Sequence, residues 1–252
     1  PRPAMGISRY TLDLRLAERI RRNGGEVRIG ERWRGDPTEA GVVLATGRVA
    51  ERTPWMGFKL HIAGDLPGEL SLFFGDGGYV GLCPVEGGYW NLCGLFRKRP
   101  GVRAGKEEIL AAYAEASGMQ PVVDFLGSSS IQPGSAAGVA GVSFGLQEPP
   151  ANQVRLGDAW GVIPPFTGNG MSIAFESAEL ALGPIAEWAA GRGEWTMTRR
   201  RVAEAHRKHL RRRFRVANAL HPILLHPSGI RMLSILGRGK VLPFRSLFSL
   251  TH

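Results

Sequence analysis

The sequence predicts a mixed α/β fold in which an antiparallel sheet interrupts an α/β unit and helices close the carboxyl-terminal part. Three observations carry this reading. Gly41 to Gly47, GVVLATG, is continuously apolar and closed by glycine, the pattern of a strand buried on both faces of a parallel sheet. Trp55 to Phe96 holds consecutive strand-like runs separated by turns, with no helical period between them. Val154 to Ser177, VRLGDAWGVIPPFTGNGMSIAFES, passes from a short strand to a carboxylate, a glycine-proline loop and a helix start.

Composition narrows the class. The chain has 252 residues, 43% hydrophobic and 21% charged, which suits a globular protein of one large domain or two small ones. No run of 18 apolar residues is present to span a membrane. PRPAMGISRY has neither the apolar core nor the cleavage pattern of a signal peptide, so a cytoplasmic location is expected, with peripheral membrane association open. Cys83 and Cys93 flank a turn at Glu86-Gly87-Gly88, and pairing about that turn sets each opposite a different residue. They are expected as free, buried thiols. No metal site is expected.

Charge is unevenly spread. The net charge is +10, yet Trp195 to His252 carries 13 Lys or Arg against the single acid Glu204, leaving the remainder nearly neutral. A basic segment of this kind attracts an anionic membrane surface or an acidic carrier protein, or is a solvated helix face. Nucleic acid is disfavoured as a partner, since the arginines lack interleaved aromatics or a recognised module.

In chain order, Leu12, Leu16 and Ile20 with Ala17 form the apolar stripe of an amphipathic helix that stops at Asn23-Gly24-Gly25. Glu26 to Gly30 alternates as a strand would. In the β-rich block the expected strands are Trp55 to Ile62, Glu69 to Phe74, Tyr79 to Val85 and Tyr89 to Phe96. Phe58, Leu60 and Ile62 share one face of the first, and Gly57, Lys59 and His61 the other, read as a solvated face. An inserted sheet commonly walls a cleft, which makes it the candidate substrate side. Lys106 to Ser117 is an expected helix ending at Gly118, and Ile131 to Leu146 reads as two short strands or a strand and a turn. After the helix that follows the loop, Gly191-Arg192-Gly193 breaks the chain, and Thr198 to Leu220 forms an arginine-rich helix whose apolar positions are Val202, Ala205, Leu210, Phe214, Ala217 and Leu220. The tail then turns apolar, at Ile223 to Leu225, Ile230 to Leu236, Pro243-Phe244 and Leu247-Phe248. Three regions follow: 1–50 with 131–192, the inserted sheet at 51–130, and a basic helical segment at 193–252.

The candidate site is the stretch from Val154 to Ser177. Gly157-Asp158 places an acid at the carboxyl end of a strand, where open α/β sheets bind ligands. Pro164, Pro165, Gly168 and Gly170 forbid regular structure until the helix begins near Met171. Unpaired N–H groups at that helix start favour an anion or a polarised carbonyl, and glycines without Cβ admit a flat ligand close to the backbone. An ordinary strand-turn-helix with an Asp cap explains the same residues.

The order ISRYTLD, VVLATG, GFKLH, YVGLCPVEGGYWNLCGLF and LGDAWGVIPPFTGNGMSIAFESAELA resembles the FAD-dependent oxidoreductases of the geranylgeranyl reductase, aromatic hydroxylase and flavin halogenase superfamily. The resemblance implies an incomplete FAD-binding Rossmann-like domain with an inserted substrate sheet. It implies FAD as cofactor, NAD(P)H as a reductant such enzymes can use, and a hydrophobic small-molecule substrate reached by a reductase or monooxygenase type of reaction. By resemblance, Gly157 and Asp158 serve the ribityl and pyrophosphate region, Pro165, Gly168, Asn169, Gly170 and Met171 the flavin ring, and Arg9 the pyrophosphate. No acid, base or nucleophile is identified. The chain departs from the family in holding no G-x-G-x-x-G, in lacking halogenase and hydroxylase signatures, and in placing Trp160 where a small residue is usual, where it would crowd or cover the cofactor. A truncated, flavin-less interaction module of the same fold is the alternative expectation.

Overall fold

The computed structural model describes residues 6–147 and 150–239. The apolar positions Pro243-Phe244 and Leu247-Phe248 therefore lie outside the described residues. Helix α1 (Arg9–Arg22) starts on Ser8, whose hydroxyl accepts from the Thr11 N–H, and ends at Asn23 before Gly24 at φ 82°. None of its residues is buried, and Leu16 and Ile20 of the expected stripe are exposed. What holds it is a clasp at its first turn. The Glu86 carboxylate accepts the Ser8 N–H at 2.8 Å and the hydroxyls of Ser8 and Thr11. The strand expected over Glu26 to Gly30 does not form. It has no partner among the described residues and Ile29 is exposed, and alternation without a neighbouring ladder leaves backbone groups to water.

Strand β1 (Val43–Leu44) pairs in parallel with β9 (Val154–Arg155), Val43 opposite Val154. The parallel pairing agrees with the apolar run, but β1 is half-buried instead of covered on both faces, with a strand on one side only.

The sheet is built from β2 (Trp55–Ala63), β3 (Ser71–Gly75), β4 (Gly78–Val85) and β5 (Tyr89–Arg97), in the order β3-β4-β5-β2 and antiparallel throughout. Glycines in left-handed conformation, Gly77 at φ 63° and Gly87 at φ 80°, close its tight turns. After α2 (Ile109–Ala116) and α3 (Gln120–Ser128), β6 (Ser130–Ile131) and β7 (Ala137–Ala140) pair along the free edge of β2. Phe58, Leu60 and Ile62 point with Val80, Leu82, Leu92 and Phe96 into a core closed by Leu110, Tyr113 and Val122 of the two helices. The sequence reading assigned no element to α3, which begins Gln120-Pro121. Proline is permitted in a helix's first turn, where its missing N–H is not needed.

The opposite face carries Gly57, Lys59 and His61, and it is less solvated than alternation suggested. His61 is buried, with Nδ1 3.1 Å from Gln132 Oε1, and the Lys59 ammonium lies over the Tyr10 ring. Cys83 stands opposite Asn91 and Cys93 opposite Gly81, so the thiols are free and apart. Cys93 is exposed on this face, a correction to its expected burial.

β8 (Gly145–Leu146) pairs with β10 (Gly161–Val162), and the rest is helical: α4 (Gly170–Ala189), α5 (Trp195–Leu224) and α6 (Pro227–Arg238). α5 extends beyond the expected Thr198–Leu220 at both ends. Its buried positions, Trp195, Thr198, Val202, His206, Leu210, Phe214, Ala217 and His221, recur every three or four residues and form one stripe. Trp188 against Trp195 and the Arg213 guanidinium forked onto Glu176 fasten α5 to α4.

Candidate functional site

The strand–turn–helix order expected for the site is present, and α4 organises it. Gly157 lies at φ 55°, a left-handed turn that a side chain tolerates poorly. Its N–H donates to Ser177 Oγ at 2.9 Å, and that hydroxyl in turn donates to the Ala174 carbonyl at 2.8 Å. A Cβ on Gly157 would meet the Ala174 methyl at 3.2 Å. Gly157 thus works by letting the Asp158 turn press on the second turn of α4, and Ser177, which sequence reasoning missed, is its partner.

The glycine-proline loop is set with similar definition. Pro165 to Thr167 form a single 3-10 turn, Thr167 Oγ1 donates to the Pro164 carbonyl at 3.1 Å, and Gly168 follows at φ 69°. The Phe166 N–H donates to the Tyr79 hydroxyl at 3.0 Å, which ties the loop to strand β4. Burial pushes the Tyr79 phenol well above its ordinary value, so it stays protonated. Tyr79 shares a sheet face with Gly81 and its neighbour Cys93, so the loop stands beside the half-open face of Lys59, Gly81 and Cys93. Only the tertiary packing of the loop on β4 reveals this contact; nothing in the local sequence around Tyr79 marks it.

Pro165, Gly168, Gly170 and Met171 are exposed, while Asn169 is buried. A Cβ built on Gly168 or Gly170 meets no atom within 4 Å. The space over the loop is therefore open, and it faces the first turn of α4, whose N–H groups have no partner one turn earlier by helix geometry. A planar group with electron-rich oxygens can approach the backbone there.

Asp158 is exposed at the turn that packs on α4. Partial desolvation by its surroundings raises its carboxyl above the ordinary value, and the positive charges of Arg48 and Arg9 oppose that rise. The fold therefore brings Arg9 into electrostatic range of Asp158, although they are far apart in sequence. Arg9 itself makes a two-pronged pair with Asp13, at 3.0 Å for each contact. Arg48, unmarked in the sequence, donates to the carbonyls of Gly141 and Ala140 at 3.0 and 3.3 Å. With Asp13 paired to Arg9, the two guanidinium groups and the two carboxylates balance, and Arg48 is the cation at this turn that has no carboxylate hydrogen-bonded to it.

Trp160 does not crowd this space. It is buried, packed edge-on against His206 and Phe214 of α5 in a core with Ile163, Ile173 and Leu210. The size of Trp160 is spent on seating α5. His206 behind it is held with Nε2 2.9 Å from the Ser177 carbonyl, and its burial lowers the imidazole below its usual value. Among the described residues no group of His, Cys, Asp and Glu could hold a metal ion.

No family model matches the sequence, and no curated protein is significantly similar to it. Solved structures are similar in fold. The flavin-dependent brominase Bmp2 aligns with a TM-score of 0.68 at 16% identity, over 96% of this chain and 70% of that one. Native FqzB aligns with a TM-score of 0.63 at 17% identity, over 92% of this chain and 64% of that one. PqsL, described as a probable FAD-dependent monooxygenase from Pseudomonas aeruginosa, aligns with a TM-score of 0.54 at 15% identity. The match covers 74% of this chain and 57% of PqsL, so the chain corresponds to little more than half of that protein's length. The mixed α/β architecture with its antiparallel sheet is thus a fold shared with proteins described as a flavin-dependent brominase and a probable FAD-dependent monooxygenase.

Proposed function

We propose that the chain contributes the flavin-ring half of an FAD site, together with one wall of a substrate cleft, in an oxidoreductase acting on a hydrophobic molecule. The observation that carries this is the open space over Gly168 and Gly170 at the start of α4, the same helix on whose second turn the Gly157-Asp158 turn packs. In this reading Asp158 and Gly157 hold the ribityl region, Arg48 offsets phosphate charge, and Arg9 joins it by exchanging Asp13 for the phosphate. Pro165, Gly168, Asn169, Gly170 and Met171 line the ring, where the positive end of α4 stabilises charge on the reduced isoalloxazine. FAD supplies the hydride or oxygen chemistry; the protein supplies position, electrostatics and exclusion of water. NAD(P)H serves as reductant.

The face bearing Gly57, Lys59, Gly81 and Cys93 is the substrate wall, since the Tyr79–Phe166 bond sets the loop beside it. The test is reconstitution: purified protein mixed with FAD should bind it in equimolar amount with a perturbed flavin spectrum, and Asp158→Ala should weaken binding tenfold or more. A protein that leaves the spectrum of added FAD unchanged supports the second reading, a flavin-less interaction module. The feature favouring that reading is the lack of a G-x-G-x-x-G segment in these residues.

The basic helices extend the proposal to where the substrate is met. The outer face of α5 is arginine-rich, and α6 presents Met232 and Ile235 to solvent beside Arg231 and Arg238. No helix among the described residues is long and apolar enough to cross a membrane. A surface of this kind fits an anionic membrane or an acidic carrier protein presenting the substrate. Cosedimentation with phosphatidylglycerol vesicles, falling steeply with added salt, checks the membrane form, and salt-insensitive binding removes the electrostatic argument.

A further inference from the structure

A second cavity, apart from the turn of Asp158, opens where the far end of the sheet meets the α5–α6 junction. Its volume is about 460 Å³, and it is lined by Trp55, His221, Pro222 and Leu225 together with the charged or polar Arg97, Lys98, Arg99, Asp76 and His226. The elements around it are firmly placed. The Arg97 N–H donates to the Gly77 carbonyl at 2.7 Å, the Lys98 N–H to the Pro54 carbonyl at 2.6 Å, and the Gly77 N–H to the Leu225 carbonyl at 3.1 Å.

The charges lining it are not equivalent. Arg99 is neutralised by Asp76, at 2.9 Å to its carboxylate and 2.6 Å to its carbonyl. Arg97 and Lys98 make no ion pair with any described residue, and both are exposed. Two uncompensated cations thus stand at the mouth of a cavity whose walls are mainly apolar. The floor is unusual as well. His221 is buried in a cage of rings, 5.1 Å from Trp55, 4.8 Å from Phe144 and nearly parallel to Phe166 at 6.2 Å. Its Nε2 has no partner among the described residues. A solvated surface recess has no need of an aromatic cage, whereas an apolar group bearing a negative head uses both features.

We propose that this cavity is a binding site for a small amphipathic phosphate ester, its apolar portion against Trp55 and Leu225 and its phosphate on Arg97 and Lys98. Two cations flanking a recess suit a dianionic phosphate better than a single carboxylate. His221 forms the floor and carries the occupancy of the cavity to Phe166, in the loop beside the flavin space. The site is distinct from that loop and does not depend on the flavin reading.

Calorimetry on the whole protein without FAD tests it, with 1-naphthyl phosphate as probe and 1-naphthol and inorganic phosphate as its two halves. The ester should bind one to one and at least tenfold more tightly than either half. Arg97→Gln with Lys98→Gln, both exposed positions that leave the core untouched, should weaken it tenfold or more, while Arg200→Gln with Arg207→Gln on the outer face of α5 should not. In the imidazole NMR spectrum, saturation should shift the His221 resonances and leave those of His206 in place. The proposal is overturned by absence of ester binding, by equal loss in both double variants, or by 1-naphthol binding as well as its phosphate.

Discussion

Gly157 and Gly168 both have positive φ, yet their surroundings give them opposite duties. At Gly157 a methyl would add crowding against Ala174 to the left-handed strain, so Gly157→Ala should cost about 1–3 kcal/mol of stability, read as a lowered midpoint in urea. At Gly168 a methyl meets nothing, so Gly168→Ala should cost about 1 kcal/mol in backbone strain and act mainly by weakening FAD binding. Asp158 adds a pH argument. Its folded pKa is raised above the unfolded one, so its contribution is most favourable in acid and is lost as pH rises through the raised value. Asp158→Asn should therefore slightly stabilise the protein at neutral pH in thermal melts while weakening FAD binding. Gain in stability with loss of ligand is the signature of a residue held for function. Tyr79→Phe removes the acceptor of the Phe166 N–H and should cost about 1–3 kcal/mol while loosening the loop, measured as faster amide exchange at Phe166.

At the scale of elements, α1 and α5 show two ways of being held. α1 buries nothing, so the position of Arg9 hangs on the Glu86 clasp at Ser8 and Thr11 and on the Lys59–Tyr10 contact. Those hydrogen bonds hold the Glu86 carboxyl down at about 2. The depressed value means that the clasp is intact above the ordinary carboxylate range and is released as pH falls from about 4.5 toward 2. Glu86→Gln should increase proteolytic cleavage within α1 at neutral pH without moving the sheet's melting transition. α5 is held instead by its buried stripe, and His221 is the sensitive point within it. Burial lowers this imidazole to about 4, from an ordinary 6.5, so stability should fall as pH drops through that interval, by about 3 kcal/mol in total. His221→Phe should flatten the acid limb of the stability profile.

For the whole molecule, the β-rich block was the most legible part. Its four strands lie within two residues of the positions that alternation and glycine turns indicate, because a sheet with one buried face writes period two into its sequence. The stripe of α5 was equally plain, since a long helix on a body must repeat its apolar contacts. Legibility failed where structure depends on partners remote in sequence. Glu26 to Gly30 alternates but has no described neighbour to pair with, and Trp160 carries no mark showing that it faces His206 and Phe214 and not the open space over the loop. His61 reads as a solvated polar residue and is buried beside Gln132, supplied by the segment after β6.

The sequence alone determined the four strands of the β-rich block, the arginine-rich helix of the basic carboxyl-terminal part and the presence of a carboxylate, a glycine-proline loop and a helix start in succession. Those are local properties, set by side-chain periodicity and by the backbone limits of proline and glycine. Only the tertiary structure decided what stands around Asp158 and the loop: Arg9 and Arg48 at the turn, Ser177 under Gly157, and Tyr79 holding Phe166. It alone brought Trp55, Arg97, Lys98 and His221 to one cavity. The physical reason is that charge and hydrogen bonding act through space over a few ångströms, while the residues that supply them are separated by tens of positions along the chain.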